Sequence, residues 1–176
     1  MANAYTYQVI KDTTEHVVIK LTGKFDGTGQ ESNATRIQAN TLYGALDSSK
    51  ANLLSSTANT GPLSYYGLSV YRVWYDSING AGGDVELFWN ADVPQTLMLL
   101  SGNGEYDGAG NWVTIPNAAA GTANCTGDIG ITTRGYVANS SYTIVLEIRK
   151  DNAHYQRGQF NDPAAFNYGP DYSIRP

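Results

Sequence analysis

The sequence predicts an all-β protein, an antiparallel β-sandwich with jelly-roll or Greek-key connections and an extended carboxyl-terminal arm. Three observations carry this. Apolar residues recur with period two along several short stretches, Gly/Asn/Asp-rich loops separate those stretches, and helical periodicity is nearly absent. Strand after strand without long crossover helices favours antiparallel sheets, and two packed sheets bury the apolar faces of such a set.

Each strand has its own warrant. Residues 5–10 supply a first alternating stretch. In 16–25, Val17, Ile19, Leu21 and Phe25 fall on one face while His16, Lys20, Thr22 and Lys24 fall on the other. Residues 35–51 leave room for one short helix or an irregular excursion. Residues 68–78 change parity, because Leu68 and Val70 share one face before Tyr71, Val73 and Tyr75 take over; a β-bulge near Tyr71 reconciles them. Residues 85–90, 96–101, 111–115 and 128–133 are rich in β-branched or aromatic residues and bounded by turn formers. The loop 79–84 suggests that 68–78 and 85–90 pair as a hairpin, and a polar tip at 103–108 suggests the same for 96–101 and 111–115. In 142–149, Tyr142, Ile144, Leu146 and Ile148 point inward and Glu147 and Arg149 outward.

The domain organisation follows. The chain of 176 residues fits one sandwich over residues 1–150. After Lys150 the alternation stops, and 151–176 becomes a mixture of Asn, Gly, Pro, Tyr and Phe. Solvating tails have few aromatic residues, so Tyr155, Phe160, Phe166, Tyr168 and Tyr172 mark this segment as one that binds a surface, either its own sandwich or a neighbouring subunit, with a frayed tail as the remaining alternative. Tyr71 and Trp74, in the aromatic stretch around 65–75, are further candidate interface residues, with core packing as the competing role.

Composition narrows the function. Net charge is −5 and Lys and Arg are scattered singly, which argues against direct nucleic-acid binding. The longest strongly apolar run, residues 97–100, is far short of a membrane span, and the amino terminus lacks the basic and apolar regions of a signal peptide. The expectation is a protein made in the cytoplasm with no membrane partner. One cysteine, Cys125, excludes an internal disulfide and reads as a small packing residue.

No residue pattern points to catalysis. The two histidines, His16 and His154, have no partner fixed by spacing, and no nucleotide loop precedes a helix. Residues 103–108 alternate oxygen-bearing side chains before Gly108 like the first half of a calcium loop, but Thr114 stands where a bidentate glutamate is needed. The expectation is a non-enzymatic protein with no catalytic residue, no cofactor and no metal.

Residues 13–23 (TTEHVVIKLTG), 85–90 (VELFWN), 99–102 (LLSG), 127–133 (GDIGITT) and 142–150 (YTIVLEIRK) give the chain a strand texture and order that resembles small virion structural proteins of tailed bacteriophages. The resemblance implies a capsid decoration or cement protein, placed on the capsid exterior of the virion and synthesised in the host cytoplasm. Its partner would be the major capsid protein, and it would form a homo-oligomer, for which a trimer suits lattice three-fold positions. Two alternatives stay open: a tail, neck or baseplate protein, and a carbohydrate-binding module that stacks host glycans on Trp74 or Trp89.

Overall fold

The computed structural model describes residues 3–53, 61–79, 82–108 and 113–156. Ten strands build two antiparallel sheets. They are β1 (Ala4–Asp12), β2 (His16–Lys24), β3 (Ala34–Ile37), β4 (Leu68–Ile78), β5 (Asp84–Trp89), β6 (Gln95–Leu100), β7 (Asn103–Tyr106), β8 (Ile115–Pro116), β9 (Ile129–Arg134) and β10 (Ser141–Lys150). The first sheet has the order β1-β2-β10-β4-β7, with β8 also on β4, and the second has the order β3-β9-β5-β6.

The pairings are nested in the chain. Strand β2 pairs with β10, β3 with β9, β4 with β7 and β5 with β6. These eight strands therefore read as one long hairpin folded at the β5–β6 turn. Two further pairings, β10 with β4 and β9 with β5, roll that hairpin into two facing sheets. Strand β1 lies outside the nest and extends the first sheet beyond β2.

The alternation in β2 and β10 has the consequence its period demands. Val17, Ile19, Leu21, Tyr142, Ile144, Leu146 and Ile148 are all buried, facing Val85, Leu87, Trp89, Ile129 and Ile131 of the second sheet. The parity change in β4 resolves as expected: Glu147 of β10 stands opposite Arg72 and Ile148 opposite Val70, so Tyr71 is the extra residue of a bulge.

Two expectations are corrected. Strands β4 and β5 do not form a hairpin; they belong to different sheets, so the chain changes sheet between Ile78 and Asp84. The Asn79 side chain holds this crossing by accepting from Gly83 N–H at 2.9 Å and donating to its carbonyl at 2.5 Å. Alternation is the same for a neighbour within a sheet and a partner across the core, so it could not choose between them. For the same reason β6 does not form the hairpin with 111–115 expected across 103–108: the expected tip is largely strand β7 of the first sheet, and the chain changes sheet at Ser101 and Gly102, where Gly102 adopts φ +68° and its carbonyl accepts from Ser77 N–H at 2.7 Å. Residues 35–51 take the second of the two courses expected for them, an irregular excursion: they contain most of β3, the 3-10 turn Ala39–Thr41 and isolated bridges to Asn52, Pro62 and Tyr155. Of the stretch 111–115, residues 111 and 112 lie outside the described residues and Ile115 opens β8.

Among the described residues, no helix is long and apolar enough to cross a membrane.

Candidate functional site: an open sheet edge and the root of the carboxyl-terminal segment

The β1 register places Tyr5 opposite Gly23, Tyr7 opposite Leu21 and Val9 opposite Ile19. Residues directly opposite in an antiparallel pair share a face, so Tyr5, Tyr7 and Val9 continue the core-facing side of the first sheet past β2. The second sheet covers only the beginning of that ledge. Glu31, buried ahead of β3, accepts from Tyr142 Oη at 2.6 Å and from Arg36 Nε at 2.6 Å, and the Arg36 guanidinium sits over the Tyr5 ring at 4.4 Å. Tyr5 is thereby half-buried, whereas Tyr7 is 44% and Val9 41% exposed. A bulge after Val9 leaves Ile10 without a partner on β2 and 54% exposed.

The backbone of β1 is as open as its side chains. It pairs with β2 on one side and with no described strand on the other. At nine residues it is far longer than β3, β7 and β8, which lie at other sheet margins, and residues 4–10 carry neither proline nor charge. Natural edges are usually blunted by proline, lysine or brevity, because unpaired N–H and C=O groups recruit another strand. Here the charges come only at Lys11 and Asp12, past the bulge.

The Asp12 end of β1 is also tied to the end of β10. Lys150, 2% exposed at the inward end of β10, donates from Nζ to Asp12 Oδ1, to Thr13 O at 2.7 Å and to Tyr43 O at 2.8 Å. Burial pushes this ammonium below its ordinary value and Asp12 partly restores it. The inward parity of β10 (142, 144, 146, 148, 150) already assigns Lys150 to the interior. A buried lysine needs such a set of acceptors.

Beyond Lys150 the chain folds back. Tyr155 is 1% exposed, donates from Oη to Ala39 O at 2.7 Å and bridges Ala45, and burial pushes its phenol well above the ordinary range. Gln156 N–H donates to Gly44 O at 2.6 Å, and Tyr43 N–H donates to Asp12 Oδ2 at 2.9 Å. Tyr43 and Gly44 therefore link Gln156 to the Asp12 end of β1.

Of the candidate interface residues, Tyr155 and Tyr71 are buried in this chain's own sandwich, and Trp74 is 37% exposed on the outer face of the first sheet, with Arg72 5.9 Å from its ring. Phe160, Phe166, Tyr168 and Tyr172 lie outside the described residues. Trp89 is fully buried, which removes it as a sugar-stacking platform. The half-calcium motif is mostly strand β7, with Asn103 opposite Asp76 and Glu105 opposite Trp74, and not a calcium-type loop. Among the described residues, no group of three or more His, Cys, Asp or Glu side chains could hold a metal ion.

Two open grooves of about 600 and 420 Å³ meet at Tyr65. The larger is bordered by Asn117, Arg149 and Asp151, the smaller by Asn124 and the buried Cys125. Their polar rims can hold water or a small polar ligand. His154 lies edge-on to Tyr65 at 5.1 Å between ring centres, with its Nδ1 3.1 Å from Asp151.

Sequence reasoning found the strand at 5–10 but not its role. Alternation of Tyr5, Tyr7 and Val9 forecasts a covered face, and only the strand order shows that the cover stops short. No family model, curated protein or solved structure matches the chain.

Proposed function

We propose that the chain is a non-enzymatic structural protein that works by occupying a lattice, as a capsid decoration protein on the outer head surface of a tailed bacteriophage. The observation that carries this reading is the β1 edge: nine residues long, unprotected through Ile10 and backed by a ledge of Tyr7 and Val9. A site built for chemistry gathers polar groups in a closed pocket; the feature that stands out here is an open strand with apolar backing, which recognises another strand.

The nested pairing supports a jelly-roll connection, with β2-β10-β4-β7 facing β3-β9-β5-β6 and β1 added outside. That architecture serves capsid and lectin domains alike, so it agrees with a virion role by analogy of fold alone. Short turns and few long charged side chains keep the ordering entropy of association low. Repetition around a symmetric shell then multiplies weak contacts through effective concentration. The major capsid protein is the partner this reading names.

Cryo-electron microscopy of native particles tests it. Repeated density of this sandwich on the outer head lattice is the expected result. Density confined to tail, neck or baseplate transfers the protein to that structural role, and absence from particles overturns both.

A further inference from the structure

We propose that β1 pairs with β1 of a second copy of this chain, antiparallel about a two-fold axis at Tyr7, so that two first sheets join into one and each copy covers the other's ledge. The contact goes beyond the decoration reading and stands without it. Strand β1 pairs with β2 on one side and with no described strand on the other, and residues 4–9 keep an unbroken register with β2 before the bulge at Ile10. An edge of that regularity is a template for another strand.

The residues of β1 select a second copy as that strand. When a strand pairs with itself, the residue a given number of places before the axis faces the residue the same number after it, a condition that a foreign strand does not impose. About Tyr7 the condition is met at every place: Tyr7 faces Tyr7, Tyr5 faces Val9 and Thr6 faces Gln8. Aromatic–aromatic and aromatic–β-branched pairs, both favoured across strands, then fall on the ledge, and uncharged polar pairs fall on the outer face. Facing residues have the same parity throughout, so side-chain faces and outward N–H and C=O groups match together.

Charge permits the contact here. The chain has a net charge of −5, which opposes self-association, yet residues 4–10 carry none of it. The first charge, Lys11, lies four places from the axis, so the two copies' lysines stand about 27 Å apart, beyond the Debye length of about 8 Å at physiological salt. The axis is perpendicular to the joined sheet, which puts both second sheets on one side of it. Each stops near its own Tyr5, and Tyr7 and Val9 of both copies, 44% and 41% exposed in the single chain, fill the trough between them. The margin strand β6 lacks this regularity: it has six residues, and its pairing with β5 skips Leu97. Pairing of like with like uses up both edges and closes at two copies. The run 5–9 is far shorter than the roughly 20–30 residues a side of a standard interface, so the dimer is a weak one that dissociates on dilution.

Charge exchange at the axis tests the contact, by sedimentation of the full-length chain across a dilution series. Tyr7→Lys and Tyr7→Glu each set like charges face to face, and each is expected to weaken dimerisation at least tenfold with an unchanged far-ultraviolet spectrum. An equimolar mixture of the two is expected to recover a mixed dimer, and Leu99→Lys, at an exposed place on β6, to dimerise as the wild type does. A wild-type chain that stays monomeric to millimolar concentration overturns the proposal and leaves the edge to a foreign strand. So does a mixture no more dimeric than either variant alone, or a Leu99→Lys chain as impaired as Tyr7→Lys. A second measurement fixes the register without adding charge. Mild oxidation is expected to link two Tyr7→Cys chains, whose Cα atoms would face at about 4.5–5.5 Å, within disulfide reach, at least tenfold more than two Val9→Cys chains, whose sulfurs would lie four places apart; the native Cys125 is buried and stays silent. Equal yields, or more from Val9→Cys, overturn the proposal. A dimer that passes these tests in a protein that does not bind phage heads supports the contact while removing the decoration reading, so the two fail separately.

Discussion

Strands β10 and β1 flank β2 on opposite sides and meet the same three residues of it. Tyr142, Gly23 and Tyr5 form one row across the sheet, Ile144, Leu21 and Tyr7 the next, and Leu146, Ile19 and Val9 the third. All three inward residues of β10 are buried, whereas on β1 Tyr5 is half-covered and Tyr7 and Val9 are open. The alternation is the same and the fate is not. What differs is the cover, because the four strands of the second sheet lie over β2 and β10 and run out at β1. Apolar periodicity specifies which face a side chain takes, and sheet width decides whether that face is core or contact surface.

Lys150→Met breaks the comparison most severely, because it removes the group that ties the end of β10 to the end of β1. Asp12 loses its cation and the carbonyls of Thr13 and Tyr43 lose a donor. Removing one member of a buried ion pair costs about 3–5 kcal/mol, and urea unfolding measures it. Leu146→Ala comes next, at about 2–5 kcal/mol for a fully buried leucine. Its row-mate Val9 provides the contrast taken up last.

Gly23→Ala sharpens the first row. The Tyr142 ring lies over Gly23, and an added Cβ would overlap it. The ring is anchored by its hydroxyl on Glu31 and cannot swing away freely. Overpacking of this kind costs about 1–3 kcal/mol, read as a lowered melting temperature.

Alkaline pH separates buried from open tyrosines. Burial first, with Glu31 adding, raises the phenol of Tyr142, and burial raises that of Tyr155, both far above the ordinary 10.0. A group whose folded pKa is raised contributes stability that is whole below its unfolded pKa and is lost as pH climbs above it. Lys150, shifted down by burial, acts in the opposite sense as pH approaches its ordinary 10.5. Seven tyrosines shift upward against this one lysine. Stability therefore falls above about pH 10, and ultraviolet titration should find Tyr142 and Tyr155 ionising only together with unfolding.

Much of this was legible from residues alone. The inward faces of β2 and β10 and the bulge at Tyr71 followed from side-chain parity, because a pleated strand leaves no freedom in which residues share a face. Strand β3 was not legible: four residues including Thr35 and Arg36 give too short a pattern to separate from a loop. Partner choice was equally hidden, since β4 and β5 alternate in the same way whether they lie side by side or face each other. The open edge was the hardest feature to foresee. Tyr7 and Val9 have the composition of core residues, and only the number of strands opposite them shows otherwise.

The smallest expected effect is the most discriminating. Val9→Thr keeps the β-branched shape that suits a strand while replacing a methyl group by a hydroxyl, at a position 41% open to water. The change should alter stability by less than about 0.5 kcal/mol, read by urea unfolding. Leu146→Ala keeps its full penalty, because its cover is the second sheet. A Val9→Thr penalty approaching that of Leu146→Ala would mean that the ledge is ordinary core, and that β1 and β10 do not differ in kind.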